Sequence, residues 1–246
     1  MNYYERSLDK WNEIRERDDF ILLAIESSCD ETAVAVYRGN ELLSNLISTQ
    51  IEIHKRFGGV VPEIASRNHI LAIDNLVKEA LSAASLSIKD VEIIAVTYGA
   101  GLLGALLVGV SYAKALAYAL DVPIMAIDHI NGHVFANFIE YKDITFPFLC
   151  LLASGGHTEI AEVKSYTDVN VLGQTTDDAA GEAFDKVARV LHLPYPGGPQ
   201  IEAKAKEGKD CIKMPRPFKG EKHLNFSYSG LKTAVINYVH NTEAKG

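Results

Sequence analysis

Phe20-Ile-Leu-Leu-Ala-Ile-Glu-Ser-Ser-Cys-Asp-Glu-Thr-Ala-Val-Ala-Val-Tyr37 is the stretch whose reading decides the fold. Phe20–Ile25 is an unbroken apolar run of strand length, Glu26–Glu31 a polar turn, and Thr32–Tyr37 a second strand. Arg38-Gly-Asn40 signals the next turn and Glu41–Gln50 a third strand, so the three predict an antiparallel meander. The pattern then restarts. Phe146–Ala153 reads as a buried strand, Ser154-Gly-Gly-His157 as a small polar tip, and Thr158–Lys164 and Val169–Thr175 as the next two strands. Both tips are rich in Ser or Gly and precede a threonine. That is an internal duplication at the level of architecture. Two such lobes with their tips facing one cleft suit nucleotide phosphates, because exposed backbone N–H groups at hairpin tips bind anions. A Ser-Gly-Gly tip by itself is more often just a turn.

Working outward, His54–Gly59 reads as a Gly-containing loop, and Pro62 opens a long helix ending near Ser85. Val91–Thr97 is a strand, Leu102–Leu120 a helix, Pro123–Ile127 a strand, and His129 to about Tyr141 a helix. The second half continues with a helix from about Asp177 to His192, the turn Tyr195-Pro-Gly-Gly-Pro199, and a helix over Gln200–Glu207. A loop through Pro215 and Pro217 leads to a last helix, Ser229–His240. No later strands follow, so the second lobe is expected to be incomplete. Residues 1–19 read as a charged helix with one stripe, Tyr4, Leu8, Trp11 and Ile14, that caps the chain's own body or docks on a partner. The expected organisation is an α/β fold: a helical extension at 1–19, a first lobe at 20–145 and a second at 146–246.

The totals narrow the class. A net charge of −8 over 246 residues argues against a broad basic face gripping nucleic acid, although a local basic patch remains compatible. Ile201–Lys232, with eight Lys or Arg against four acids, is the local candidate for such a patch on nucleic-acid phosphate. Cys29, Cys150 and Cys211 form no C-x-x-C pair, which fits a reducing compartment. Met1–Asp19 is charged throughout and does not read as a signal peptide. Ala95–Leu120 carries only Lys114 as a charge. Its glycines at 99, 101, 104 and 109 suit a strand, a tight turn and a close-packed helix better than a membrane span.

One short stretch carries a chemical signal, His129-Ile-Asn-Gly-His133. Two histidines at i and i+4 share a helix face, and both imidazoles can reach one metal ion. On spacing alone the alternative stays open: two partly buried histidines satisfied by hydrogen bonds. A metallopeptidase with this spacing needs a glutamate after the first histidine, where this chain has Ile130, so that chemistry is lost. A third ligand must come from elsewhere.

Eight motifs in order then resemble a known family. They are Ile25-Glu-Ser-Ser-Cys-Asp-Glu-Thr32, Phe57-Gly-Gly-Val-Val-Pro-Glu-Ile-Ala-Ser-Arg67, Gly101-Leu-Leu-Gly-Ala-Leu-Leu-Val-Gly109, His129–His133, Ser154-Gly-Gly-His-Thr158, Asp177-Asp-Ala-Ala-Gly-Glu-Ala-Phe-Asp-Lys186, Tyr195-Pro-Gly-Gly-Pro199 and Phe226-Ser-Tyr-Ser-Gly-Leu-Lys232. The resemblance is to the catalytic subunit of the bacterial tRNA N6-adenosine threonylcarbamoyltransferases, a family once called glycoprotease or O-sialoglycoprotein endopeptidase. It implies an actin-like, sugar-kinase-like fold with duplicated lobes. It implies transfer of a threonylcarbamoyl group from threonylcarbamoyl-AMP to N6 of the adenosine 3′ of the anticodon, in tRNAs reading codons that begin with A. It also implies an inactive paralogous subunit as heterodimer partner, a small ATPase subunit, an upstream threonylcarbamoyl-AMP synthase, and a cytoplasmic location with no membrane role.

Carried over by position, the resemblance makes His129 and His133 ligands of one divalent metal, Fe2+ or Zn2+. Leu152, Ala153, Ser154, Gly155 and Gly156 become the loop holding the adenylate, or ATP or ADP. Asp185 would bind the ribose hydroxyls, Gly198 would admit the nucleotide close to the backbone, and Glu202 would stand near it. Asp30 and Glu31 take a catalytic or tRNA-positioning role. The family's third metal ligand, an Asp, and a nucleotide-contacting Asn would fall beyond Gly246. Ala100 stands where the family has Pro in a Gly-Pro-Gly turn. A non-catalytic nucleotide-binding scaffold is the competing function.

Overall fold

The computed structural model describes residues 2–244. Contacts divide the chain into two compact units, residues 1–132 and 133–246. In the first, α1 (Tyr3–Ile14) precedes β1 (Ile21–Glu26), β2 (Glu31–Arg38) and β3 (Glu41–Thr49). Then come α2 (Ile51–His54), α3 (Pro62–Ala83), β4 (Ile93–Gly99), α4 (Leu103–Leu120) and β5 (Ile124–Asp128). The expected meander is present: β1–β2 and β2–β3 pair antiparallel. β4 then adds parallel to the far side of β1, and β5 adds parallel to β4, giving the order β3-β2-β1-β4-β5.

Alternation sets which face is buried. Ile21, Leu23 and Ile25 of β1 and Val34 and Val36 of β2 point into the core, as a period of two requires. Ile73, Leu76, Val77, Ala80 and Leu81 of α3, with Ala113 and Ala117 of α4, complete it. Pro62 occupies the first turn of α3, where its missing N–H costs nothing. α4 is long and apolar enough to cross a membrane by length and composition. It packs instead on β4 and α3, through small residues that allow close approach.

Two expectations change here. The expected loop His54–Gly59 is mostly helical: His54 closes α2, and a 3-10 turn, Lys55–Phe57, follows it. The cause is His54, fully buried, whose Nδ1 accepts the Val61 N–H at 3.3 Å and whose Nε2 meets Gln50 Oε1 at 3.2 Å. The helix α1 docks on its own body, and only the far end of the apolar stripe takes part: Ile14 is buried at 7% exposure, while Tyr4 is 73% and Leu8 47% exposed. The rest of its docking face is polar. The Tyr3 hydroxyl donates to Val122 O at 2.7 Å, and Arg6 and Lys10 both hold Asp121, at 3.1 and 2.9 Å. Asp121 sits at the left-handed C-cap of α4, where its carboxylate is turned out to meet them.

The helix α5 (His129–Glu140) begins within the first unit's residues and continues into the second. After it come β6 (Phe148–Ala153), β7 (Thr158–Ser165), β8 (Asp168–Gln174), α6 (Ala180–Val190), α7 (Gly197–Ala205) and α8 (Ser229–Glu243). β6, β7 and β8 repeat the antiparallel meander in three strands. Phe135 of α5 packs on Tyr166, and Phe138 on Phe146, Phe148 and Tyr166, with ring centroids 5.3–5.9 Å apart, covering one face of this sheet.

The expected helix from Asp177 starts only at Ala180, because Asp177 is drawn away. Its carboxylate accepts hydrogen bonds from Tyr228 N–H, Ser229 N–H and the Ser227 and Ser229 hydroxyls, which caps α8 instead. Asp178 takes Lys186 and Lys232. The next helix starts at Gly197, not Gln200, since Asp185 Oδ1 accepts the Gly197 N–H at 2.7 Å and satisfies an orphan donor of that first turn.

Candidate active site

The three parallel strands of the first unit end side by side, and the ends of parallel strands are where α/β sheets place ligands. β1 ends in Glu26, β4 carries Thr97 near its end, and β5 ends in Asp128, directly before His129. Asp128 Oδ1 accepts the N–H groups of Ile130 and Asn131 at 2.9 and 3.0 Å, so this side chain starts α5 where the strand stops. His129 is thereby fixed at the sheet's edge. Its Nδ1 lies 3.2 Å from Glu26 Oε2 and 3.2 Å from Ser28 Oγ, so the ring N–H is shared between a carboxylate and a hydroxyl.

The electrostatics follow from that contact. Burial alone would raise the Glu26 carboxyl, but hydrogen bonds from His129, Ser28 and Thr97 outweigh it and hold the carboxyl at about 2. The same Glu26 contact raises His129 above its ordinary value against the opposing effect of burial. A histidine whose Nδ1 is held by a carboxylate has the usual environment of a metal-ligating imidazole. His133 lies one turn on along α5 and is exposed. An imidazole pair of which one member is held in this way fits a borderline metal such as iron or zinc. Among the described residues no third His, Cys, Asp or Glu joins them.

The tip between β1 and β2 is tied down by hydrogen bonds to α3, to α4 and to the turn before α4. His69, fully buried on α3, donates from Nε2 to Cys29 O at 3.0 Å and accepts the Thr32 hydroxyl on Nδ1 at 2.7 Å. Ser27 Oγ donates to Ala105 O, and Leu102 N–H donates to Ser28 O at 2.7 Å. Gly101 and Gly109 are explained by this closeness: a Cβ at Gly109 would lie 2.3 Å from Ser27 Oγ. Asp30 and Glu31 stand on this tip. The Asp30 carbonyl accepts Gln50 N–H, and the Glu31 side chain is exposed at the start of β2.

In the second unit the expected loop is the β6–β7 hairpin tip. Leu152 and Ala153 end β6, and Ser154 closes the turn through Ser154 N–H to His157 O at 2.8 Å and His157 N–H to Ser154 Oγ at 3.0 Å. Gly155 and Gly156 are exposed, and a Cβ on either would meet nothing. Gly181 at the start of α6 packs against this turn, where a Cβ would fall 2.6 Å from Ser154 O. Asp185 and Gly198 are brought together, since Asp185 holds the residue before Gly198. Gly198 has open space around its missing side chain. Glu202 points elsewhere, to Lys206 at 3.2 Å on the surface of α7.

Sequence reading did not assign Glu26, Ser28, Thr97, Asp128 or His69 to this site. Glu26 and Ser28 lay inside a quoted motif. Their partner is about a hundred residues away, and nothing local points to it.

An α/β chain with two meander-based lobes and a histidine at the ends of its parallel strands belongs to the actin-like class, and the comparisons agree. Component A of (R)-2-hydroxyglutaryl-CoA dehydratase from Acidaminococcus fermentans superposes with a TM-score of 0.50 at 13% identity, over 92% of this chain and 69% of that one. Residues 41–244 match the TsaD family, described as tRNA N6-adenosine threonylcarbamoyltransferase. The enzyme of that name from Clostridium perfringens (strain SM101 / Type A) is 58% identical over 227 residues, which cover 92% of this chain and 67% of the relative. That from Clostridioides difficile (strain 630) is 57% identical over 229 residues, covering 92% and 68%. The chain therefore belongs to the TsaD family of tRNA-modifying transferases, and it spans about two thirds of the length of these relatives.

Proposed function

We propose that this chain carries the transfer of threonylcarbamoyl from threonylcarbamoyl-AMP to N6 of the adenosine 3′ of the anticodon, in tRNAs reading ANN codons. The observation that carries it is the Glu26–His129–Ser28 cluster at the ends of three parallel strands, within a chain of this family. In the step, the adenosine N6 attacks the carbamoyl carbon, the bond from that carbon to the phosphate oxygen of AMP breaks, and N6 gives up a proton. The competing reading is a non-catalytic nucleotide-binding scaffold. It is favoured by one fact: the described residues offer only two imidazoles and no third ligand.

His129 and His133 would hold a divalent metal, iron or zinc, and when bound it supplies Lewis-acid polarisation of the carbamoyl oxygen. Glu26 keeps the His129 ring in one tautomer and one orientation. The Ser154–Gly156 tip binds the adenylate phosphate through exposed backbone, and Asp185 with Gly198 receives the ribose. Asp30 and Glu31 offer carboxylates at the first tip to take the N6 proton or to position the tRNA. The reading carries with it a cytoplasmic location, an inactive paralogous subunit, a small ATPase and an upstream threonylcarbamoyl-AMP synthase.

The test is reconstitution. The chain, alone and extended to the length of its relatives, is combined with the synthase, the partner subunits, threonine, bicarbonate, ATP and unmodified tRNA. Digested nucleosides are then read by mass spectrometry. Threonylcarbamoyladenosine is expected from the extended chain. Product from neither form, beside a working control enzyme, would leave the scaffold. Within the active mixture, Glu26→Gln is expected to lower metal content and modification rate by about ten- to a hundredfold, as loss of a carboxylate behind a ligand histidine does. Equal metal content in Glu26→Gln and wild type would separate Glu26 from the metal.

A further inference from the structure

Five cations crowd one segment of the second unit: Lys209, Lys213, Arg216, Lys219 and Lys222, against only Asp210 and Glu221. The protein as a whole carries −8, so this segment opposes the charge of its own chain. The structure sets these five apart from the cations around them. Lys204 and Lys206 lie beside Glu207 and Glu202 on α7, at 3.7 and 3.2 Å, and Lys232 is held by Asp178. Glu221 is occupied by His223 at 2.9 Å. Among the described residues, none of the five has a carboxylate partner.

The segment is anchored at both ends. Before it, Asp185 holds the start of α7. After it, Asp177 grips Ser227–Ser229, and Phe226 is paired to the strand end through Thr176 N–H to Phe226 O at 3.0 Å. Inside it, Lys219 N–H donates to Arg216 O and Glu221 N–H to Phe218 O, at 3.3 and 3.0 Å, and the Phe218 ring meets His223 edge-on. Lys213, Arg216 and Lys219, against the single carboxylate of Asp210, line one open cavity of about 840 Å³, whose apolar wall includes Ile212, Met214 and Leu231.

We propose that this cavity is an RNA-backbone site, with Lys213, Arg216 and Lys219 on phosphates and the apolar wall under a nucleoside. The proposal rests on the tRNA-modifying reading above and adds the residues with which the second unit grips tRNA. Nucleotides alternate a charged phosphate with a flat apolar face, and the cavity offers both complements side by side. The planar fork of Arg216 suits phosphate oxygens in particular. An acidic protein surface would match the cations but would leave the apolar wall without a counterpart.

The test uses the full chain with unmodified tRNA. Equilibrium binding is measured across a KCl series from about 50 to 200 mM, and initial rates are taken in the reconstituted mixture. Four proteins are compared: wild type, K213A/R216A/K219A, the charge-preserving K213R/R216K/K219R, and K55A/K78A/K164A. The last removes three lysines that each pair with an acid. The alanine triple is expected to bind tRNA about tenfold or more weakly and to lower the slope of log affinity against log salt by about two to three. KM for tRNA rises while kcat holds. The charge-preserving triple keeps most of the slope, and the control triple behaves as wild type. Wild-type affinity and slope in the alanine triple, with threonylcarbamoyladenosine still forming, overturns the cavity proposal and leaves the transferase reading intact. A wild type that neither binds tRNA nor modifies it, beside an active control, removes both. Loss of a protein subunit with tRNA binding unchanged assigns the cavity to an acidic protein surface and overturns the RNA site.

Discussion

Replacing His129 with alanine is expected to lower threonylcarbamoyladenosine formation by about a hundredfold or more while the fold survives. Lewis-acid stabilisation is worth several kcal/mol, and each ~1.4 kcal/mol is a factor of ten in rate. The side chain is partly exposed, at 22%, and its loss leaves Glu26 with Ser28 and Thr97 and with access to water. The structural cost is accordingly small, on the order of 1–3 kcal/mol for a charged group short of one partner. His69→Ala is the contrasting variant. That ring is fully buried and satisfies Thr32 and Cys29, so its removal strands two polar groups and opens a void. His69→Ala should melt early, with metal content per folded chain unchanged. His129→Ala should melt near wild type and lose both metal and turnover. Melting curves, metal analysis and single-turnover rates separate the two. A wild-type rate in His129→Ala would take this residue out of the site.

The second large effect is expected at Gly101. Its φ is +155°, and a Cβ there would fall 2.5 Å from Ser28 O and 2.8 Å from Ser28 Cβ. Ser28 O already accepts Leu102 N–H, so the backbone of the tip has nowhere to go except outward. The displacement reaches the site, because Ser28 contributes its hydroxyl to His129 and its N–H to Glu26. Gly101→Ala should destabilise the protein by about 1–3 kcal/mol, as overpacking does. It should also cut the rate by up to about a hundredfold, the scale of an ångström-sized misplacement. Gly230→Ala, where a Cβ meets nothing, is the control and should leave both unchanged. Crystals or NMR shifts of Gly101→Ala showing an unmoved Ser28 would sink the argument.

What the sequence disclosed depended on distance along the chain. Each meander was legible because its strands are neighbours joined by short turns, and so was α3, because Pro62 marks its start. The insertion of β4 beside β1 was not, since Leu22 pairs with Ile93 across most of the first unit and no local pattern encodes the partner. The same limit hid Glu26: its motif was quoted, but its role is set by His129. The α1 stripe was only partly right: Ile14 is buried, but Tyr4 and Leu8 are not, because much of the docking is made by ion pairs to Asp121, whereas periodicity counts only apolar residues. Asp177 was read as the first residue of a helix. Its four acceptor contacts lie about fifty residues on, where they cap a different helix.

The spacing of Glu26 and His129 also dictates an order of assembly. The two are 103 residues apart, and the strand pairs between them are parallel crossovers, the slow kind to form. A nascent chain leaving the ribosome at about 5–20 residues per second can close the β1–β2–β3 meander within seconds of its synthesis. Glu26 must then wait, exposed at a hairpin end, until β4 and β5 have been made and docked. The Glu26–His129 contact is thus withheld until the whole first unit has emerged and folded, so a chain stalled or cleaved before residue 129 never forms it.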